Sequence, residues 1–136
     1  MQRKLTFYKS AVLTVLLYGA ESWPTTAAQL QRLEVFHQRR LREIMRIRWE
    51  DHVTNDAVLV LAVVPSIAAT VAARRLTWLG HIARVEDTRL VKQLLFSQQP
   101  GRRHRERPRL TLRCAMEQDV RGLYGGQVVV RGESAP

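Results

Sequence analysis

One cysteine, Cys114, is all that the 136 residues contain, which excludes an internal disulfide and any zinc knuckle built on Cys pairs. The four histidines stand at 37, 52, 81 and 104, which is not metal-ligand spacing, so neither a metal nor another cofactor is expected. No nucleophile, base and orienting residue can be assembled, and His81 and Cys114 have no catalytic partner in view. The apolar stretch Ala11 to Ala20 is too short to cross a bilayer, and no membrane partner is expected. Preceded by MQRK it has the outline of a signal peptide, yet Tyr18 stands where a cleavage site wants a small residue. It reads instead as a buried helix of a nuclear or cytoplasmic chain that is not secreted. No strand pattern is stronger than Val128 to Val130, and no segment repeats.

What the chain does have is arginine. Of 22 basic residues against 12 acidic, 19 are Arg, and the formal charge is +10. A guanidinium grips phosphate with a planar fork and stacks on bases, which points to nucleic acid. With 46% hydrophobic residues, the chain can also bury a modest core.

Apolar residues at helical spacing dominate, and turn signals divide the chain into about five or six helices, an all-α bundle. The first runs from about Leu5 to Leu17, apolar nearly all round, and stops near Gly19. Thr25 or Thr26 caps a second, reaching about Ile47. Leu30, Leu33, Phe36, Leu41, Ile44 and Ile47 fall on one side of it, with Arg32, Arg39 and Arg46 recurring every seventh residue opposite. Thr54 caps a short helix over about Asn55 to Ala62, ended by Pro65, because the residue before a proline avoids helical geometry. Ser66 starts a fourth, about Ile67 to Arg84, which buries Val71, Trp78, Leu79 and Ile82. Arg75 projects from the middle of that apolar arc, and a guanidinium there needs a carboxylate or carbonyl partner. A fifth helix covers about Arg89 to Ser97 and a sixth about Thr111 to Leu123. Between them lies the Arg-rich loop 100–110, PGRRHRERPRL. Residues 1–124 thus read as one helical region and 125–136 as a disordered tail.

Four segments, YKSAVLTVLLYGAESW, LQRLEVFHQRRLREIMRIRWEDHVTNDAVL, RRLTWLGHIAR and GRRHRERPRLTLR, stand in an order and spacing that resembles the C-terminal, post-palm region of LINE-type non-LTR retrotransposon reverse transcriptases. The likeness covers roughly Tyr8 to Leu123. It implies a parent polyprotein with an endonuclease and a palm, and a helical thumb here that helps to hold template and primer. The family's catalytic metals sit on an aromatic-x-Asp-Asp motif. Asp occurs here only at 51, 56, 87 and 119, never adjacent, so no polymerase activity is expected of this chain, nor the endonuclease activity of such elements. Leu112 stands where the family often has Trp, and Cys114 near an acidic position.

Each basic feature has a plainer reading beside the functional one. Alone, the arginine run is a solvated linker kept open by charge repulsion. Within a thumb, phosphate is the obvious counter-charge, and Arg102, Arg103, Arg105, Arg107 and Arg109 are expected to bind RNA or DNA through its backbone, without sequence preference. The ridge of Arg32, Arg39 and Arg46 binds phosphate or is simply solvated, with Glu34 and Glu43 near enough to pair locally. Arg75 and Trp78 read as structural. Trp23 and Trp49 are further candidates for stacking on bases. The rival expectation is an inert helical remnant of a truncated element, engaging proteins, or itself, through apolar surface meant for the absent palm.

Overall fold

The computed structural model describes residues 1–96 and 111–123, all helix, turn and loop, with no strand among them. It divides into two compact units, residues 1–75 and 76–136, with the division falling inside one helix.

The first unit begins with a continuous helical segment, 2–16, made of α1 (Gln2–Phe7), a π-helical stretch (Tyr8–Leu13) and α2 (Thr14–Leu16). Gly19 reverses the chain at φ 69°, a left-handed conformation that suits glycine, and a 3-10 turn (Ala20–Ser22) follows. Next comes α3 (Ala27–Met45). Of the two candidate caps, Thr26 takes the role in a full capping box. Its hydroxyl accepts from Gln29 N at 3.2 Å, while Gln29 Oε1 accepts from Thr26 N at 2.8 Å. α4 (Asn55–Ala62) is capped by Thr54, whose hydroxyl accepts from Ala57 N at 3.3 Å. α5 (Ile67–Arg84) starts with the Ser66 hydroxyl accepting from Ala69 N at 3.1 Å.

The observed α3 is shorter than its periodicity suggests. Arg46 adopts the left-handed conformation, φ 57°, and ends the helix at Met45. Arg46 therefore stands off the ridge formed by Arg32 and Arg39, and Ile47 packs into the core from a loop. The buried face is also more polar than expected. Its buried residues are His37, Gln38, Leu41 and Met45, while Phe36 lies at the exposed edge beneath the Arg40 guanidinium, 5.4 Å from the ring centre.

Two apolar clusters hold this unit. Leu5, Tyr8, Leu41, Met45, Val58, Ala62 and Val64 form one, joining the first segment, α3 and α4. Leu17, Ala20, Ile67 and Val71 form the other, joining the first turn to the start of α5, and Leu13 touches both. Removal of such side chains from water is the main favourable term in folding.

The second unit holds the end of α5, α6 (Leu90–Phe96) and α7 (Leu112–Leu123). Ile82, Ala115 and Met116 are buried. Lys92 Nζ donates to Val85 O at 3.0 Å and pairs with Asp87 at 2.5 Å; this ammonium holds the Asp87 carboxyl below the usual carboxylate range. Thr111 caps α7, its hydroxyl accepting from Cys114 N at 3.3 Å. The Arg-rich loop and the C-terminal tail lie outside the described residues.

Candidate nucleic-acid interface

Arg32 and Arg39 lie seven residues apart on α3, both exposed, on the side away from Leu41. The two carboxylates that stand near enough in sequence to neutralise them are engaged elsewhere. Glu43 pairs with Arg40 at 2.6 Å. Glu34 turns inward, where one oxygen accepts from Ile67 N at 2.8 Å and so serves the start of α5. Among the described residues, neither Arg32 nor Arg39 has a carboxylate partner. Surface cations without local counter-ions are what a phosphate chain would meet.

Below the ridge, a hollow between α3 and α4 is lined by Gln31, Glu34, Val35, Gln38, Arg39, Arg42 and Asn55. Arg42 is committed to structure, donating to Val53 O at 2.7 Å and to Asn55 Oδ1 at 2.9 Å. The loop that it holds contains exposed Arg46, Arg48 and Trp49, the last being 81% exposed.

Arg75 is 2% exposed, and its guanidinium donates to Trp23 O at 2.8 Å and to the Thr25 hydroxyl. Its neighbour Arg74 donates to Leu17 O. Two cations thus satisfy the carbonyl ends of the turn after the first segment, from one side of α5. Trp78 and Trp23 are half-buried. Arg102, Arg103, Arg105, Arg107 and Arg109 lie outside the described residues.

The interior contains a polar pair that the periodicity does not reveal. Tyr8 Oη and His37 Nδ1 are hydrogen-bonded at 2.9 Å with their rings stacked, and both residues are buried. Burial pushes the Tyr8 phenol up to about 12 and pushes the His37 imidazole below its ordinary 6.5, so both are neutral near pH 7. His37 Nε2 and Gln38 Oε1 meet no hydrogen-bond partner at good geometry, although the Pro65 backbone lies near enough to favour a ring proton. Among the described residues no group of three His, Cys, Asp or Glu side chains is placed to hold a metal ion. No single described helix is long and apolar enough to cross a membrane; α4 and α5 reach that composition only as a pair bent by 61°.

Comparison with known proteins gives one bearing. Over 90 residues, 63% of this chain, the sequence is 29% identical to an uncharacterised transposon-derived protein of Caenorhabditis elegans. The chain spans about a third, 32%, of that relative's length. The likeness supports a transposon origin. No family model and no solved structure matches.

Proposed function

We propose that this chain is the thumb-like, post-palm region of a LINE-type reverse transcriptase, gripping the phosphate backbone of RNA or DNA and carrying no polymerase or nuclease chemistry of its own. The observation that carries the reading is the ridge on α3. Among the described residues, Arg32 and Arg39 stay exposed without a carboxylate, since Glu34 and Glu43 are committed to Ile67 N and Arg40. The order of the four sequence segments and the likeness to a transposon-derived protein support the same origin. In this reading the five arginines of the 100–110 loop form the main grip and the ridge a second, weaker one. The palm of the parent polyprotein and the template and primer are the partners, and the setting is nuclear or cytoplasmic.

Salt-titrated binding to one RNA and one duplex DNA tests it. Each phosphate contacted steepens the fall of log affinity with log salt by roughly 0.7 on a single strand and about 0.9 on a duplex. Changing Arg102, Arg103, Arg105, Arg107 and Arg109 to Gln should flatten the slope by about three to four, uniformly across unrelated oligonucleotides. Changing Arg32 and Arg39 to Gln should flatten it by up to about 1.4 on a single strand. Identical slopes in all three proteins would leave the arginines as solvent-facing charge.

A second reading has its own observation. Phe7, Val15, Val60, Leu61 and Val63 are exposed apolar side chains within the first unit, and they suit a protein-interaction role or an inert remnant whose palm-facing surface has lost its cover. Primer extension in the presence of divalent metal by rigorously purified chain would contradict both readings.

A further inference from the structure

Resting on the nucleic-acid reading above, we propose that Trp49 is a stacking platform for an unpaired base of single-stranded nucleic acid, with Arg46 and Arg48 meeting the flanking phosphates. Trp49 is 81% exposed, which leaves its ring open to a stacking partner. The loop beneath is firmly built. Arg46 and His52 both occupy the left-handed region, at φ 57° and 48°, a conformation that residues other than glycine adopt at a cost. The 3-10 turn Trp49–Asp51 is closed by His52 N donating to Trp49 O at 3.3 Å, and the Asp51 carboxylate accepts from Arg48 N at 2.7 Å. Both roots are anchored: Ile47 and Val53 pack against the first cluster, and Arg42 holds Val53 O at 2.7 Å.

A loop anchored at both ends thus carries one exposed aromatic ring and two exposed arginines within four residues. That arrangement suits single strands, because every base has a π-face and the cations follow the backbone. Of the two carboxylates in the turn, that of Asp51 accepts from Arg48 N, and that of Glu50 is exposed. Duplex bases already stack on one another, so a duplex gains nothing from the ring.

The test uses the full chain with Trp49→Ala and Trp49→Phe. Binding is measured by anisotropy to a 12-nucleotide single-stranded RNA, the same sequence as DNA, and a blunt duplex. Trp49→Ala should weaken single-strand binding roughly 5- to 100-fold, while Trp49→Phe keeps most of it and duplex affinity holds. The salt slope on the single strand should be unchanged in Trp49→Ala, because stacking releases no counterions, whereas Arg46→Gln and Arg48→Gln should each lower it by about 0.7. RNA weakened more than DNA, or the reverse, would identify the natural strand. Unchanged single-strand affinity in Trp49→Ala, equal losses on single strand and duplex, or a lowered thermal midpoint would each overturn the platform while leaving the arginine grip standing. If the wild type binds none of the three oligonucleotides, both proposals fall.

Discussion

Tyr8 and His37, 29 residues apart, share a buried hydrogen bond of 2.9 Å that joins the π-helical stretch to the middle of α3. Its chemistry sets how the first unit responds to pH. Burial depresses the folded-state pKa of His37, so below its ordinary 6.5 the unfolded chain binds a proton that the folded chain resists. Stability should be fully present above pH 6.5 and fall as pH drops through that value toward the depressed one. Tyr8 acts at the other end. With its phenol raised from 10.0 to about 12, its contribution is present below pH 10 and lost as pH rises from there to about 12. Urea unfolding at pH 7.5 and 5.5 should show the acid loss in the wild type and a smaller one in His37→Gln. Tyr8→Phe should cost about 1–2 kcal/mol at neutral pH, because it removes one partner of a buried hydrogen bond. A pH-independent midpoint between 7.5 and 5.5 would contradict this account.

Arg75 should prove structural. Arg75→Met keeps much of the stem but leaves Trp23 O and the Thr25 hydroxyl without its donors, at a cost of about 1–3 kcal/mol. Oligonucleotide affinity measured well below the melting transition should stay within twofold of wild type. A melting temperature that holds while affinity collapses would move Arg75 to the binding surface.

Val63 offers a gain. It is an exposed β-branched residue at φ 53°, where it ends α4, and left-handed backbone costs such a residue roughly 1–2 kcal/mol. Val63→Gly should relieve that strain and raise the thermal midpoint, less the entropy that glycine adds to the unfolded chain. A destabilised variant would show that the valine side chain contributes more than its exposure suggests.

Self-association should follow from the exposed apolar residues. Sedimentation velocity across a hundredfold concentration range should show species larger than the monomer, reduced when Val60 and Leu61 become Ser. A monomer throughout that range, with no hydrophobic-dye binding, would count against the idea.

Much of the fold could be read along the chain because its signals are local. Thr54 and Ser66 mark the starts of α4 and α5, and Gly19 marks the first turn, whereas α4 ends at Ala62 through left-handed Val63, two residues before the proline expected to stop it. Partners far apart in sequence are what local pattern cannot supply. His37 and Gln38 look like solvent-facing residues until Tyr8 Oη and Asn55 O, each more than a dozen residues away, come to meet them. Likewise Arg75 announces that it needs an acceptor, but nothing local says that Trp23 O, 52 residues earlier, supplies it. For the candidate interface, the exposed pair Arg32 and Arg39 was legible from a seven-residue recurrence, whereas the lack of a carboxylate partner among the described residues was not. That lack depends in part on Glu34 reaching Ile67, 33 positions on. The end of α3 was misjudged because the left-handed cap is an arginine, with no glycine to flag it.

The π-helical stretch at Tyr8–Leu13 gives the first segment a phase that regular winding would not. At about 100° per residue, Tyr8 and Leu17 would face opposite directions, since they stand nine positions apart. Wider π turns slow that rotation, and the segment supplies Leu5 and Tyr8 to one cluster while Leu17, just past its end, joins the other. The segment is therefore metered: its residue count, as much as its apolarity, decides which side chains arrive at which cluster.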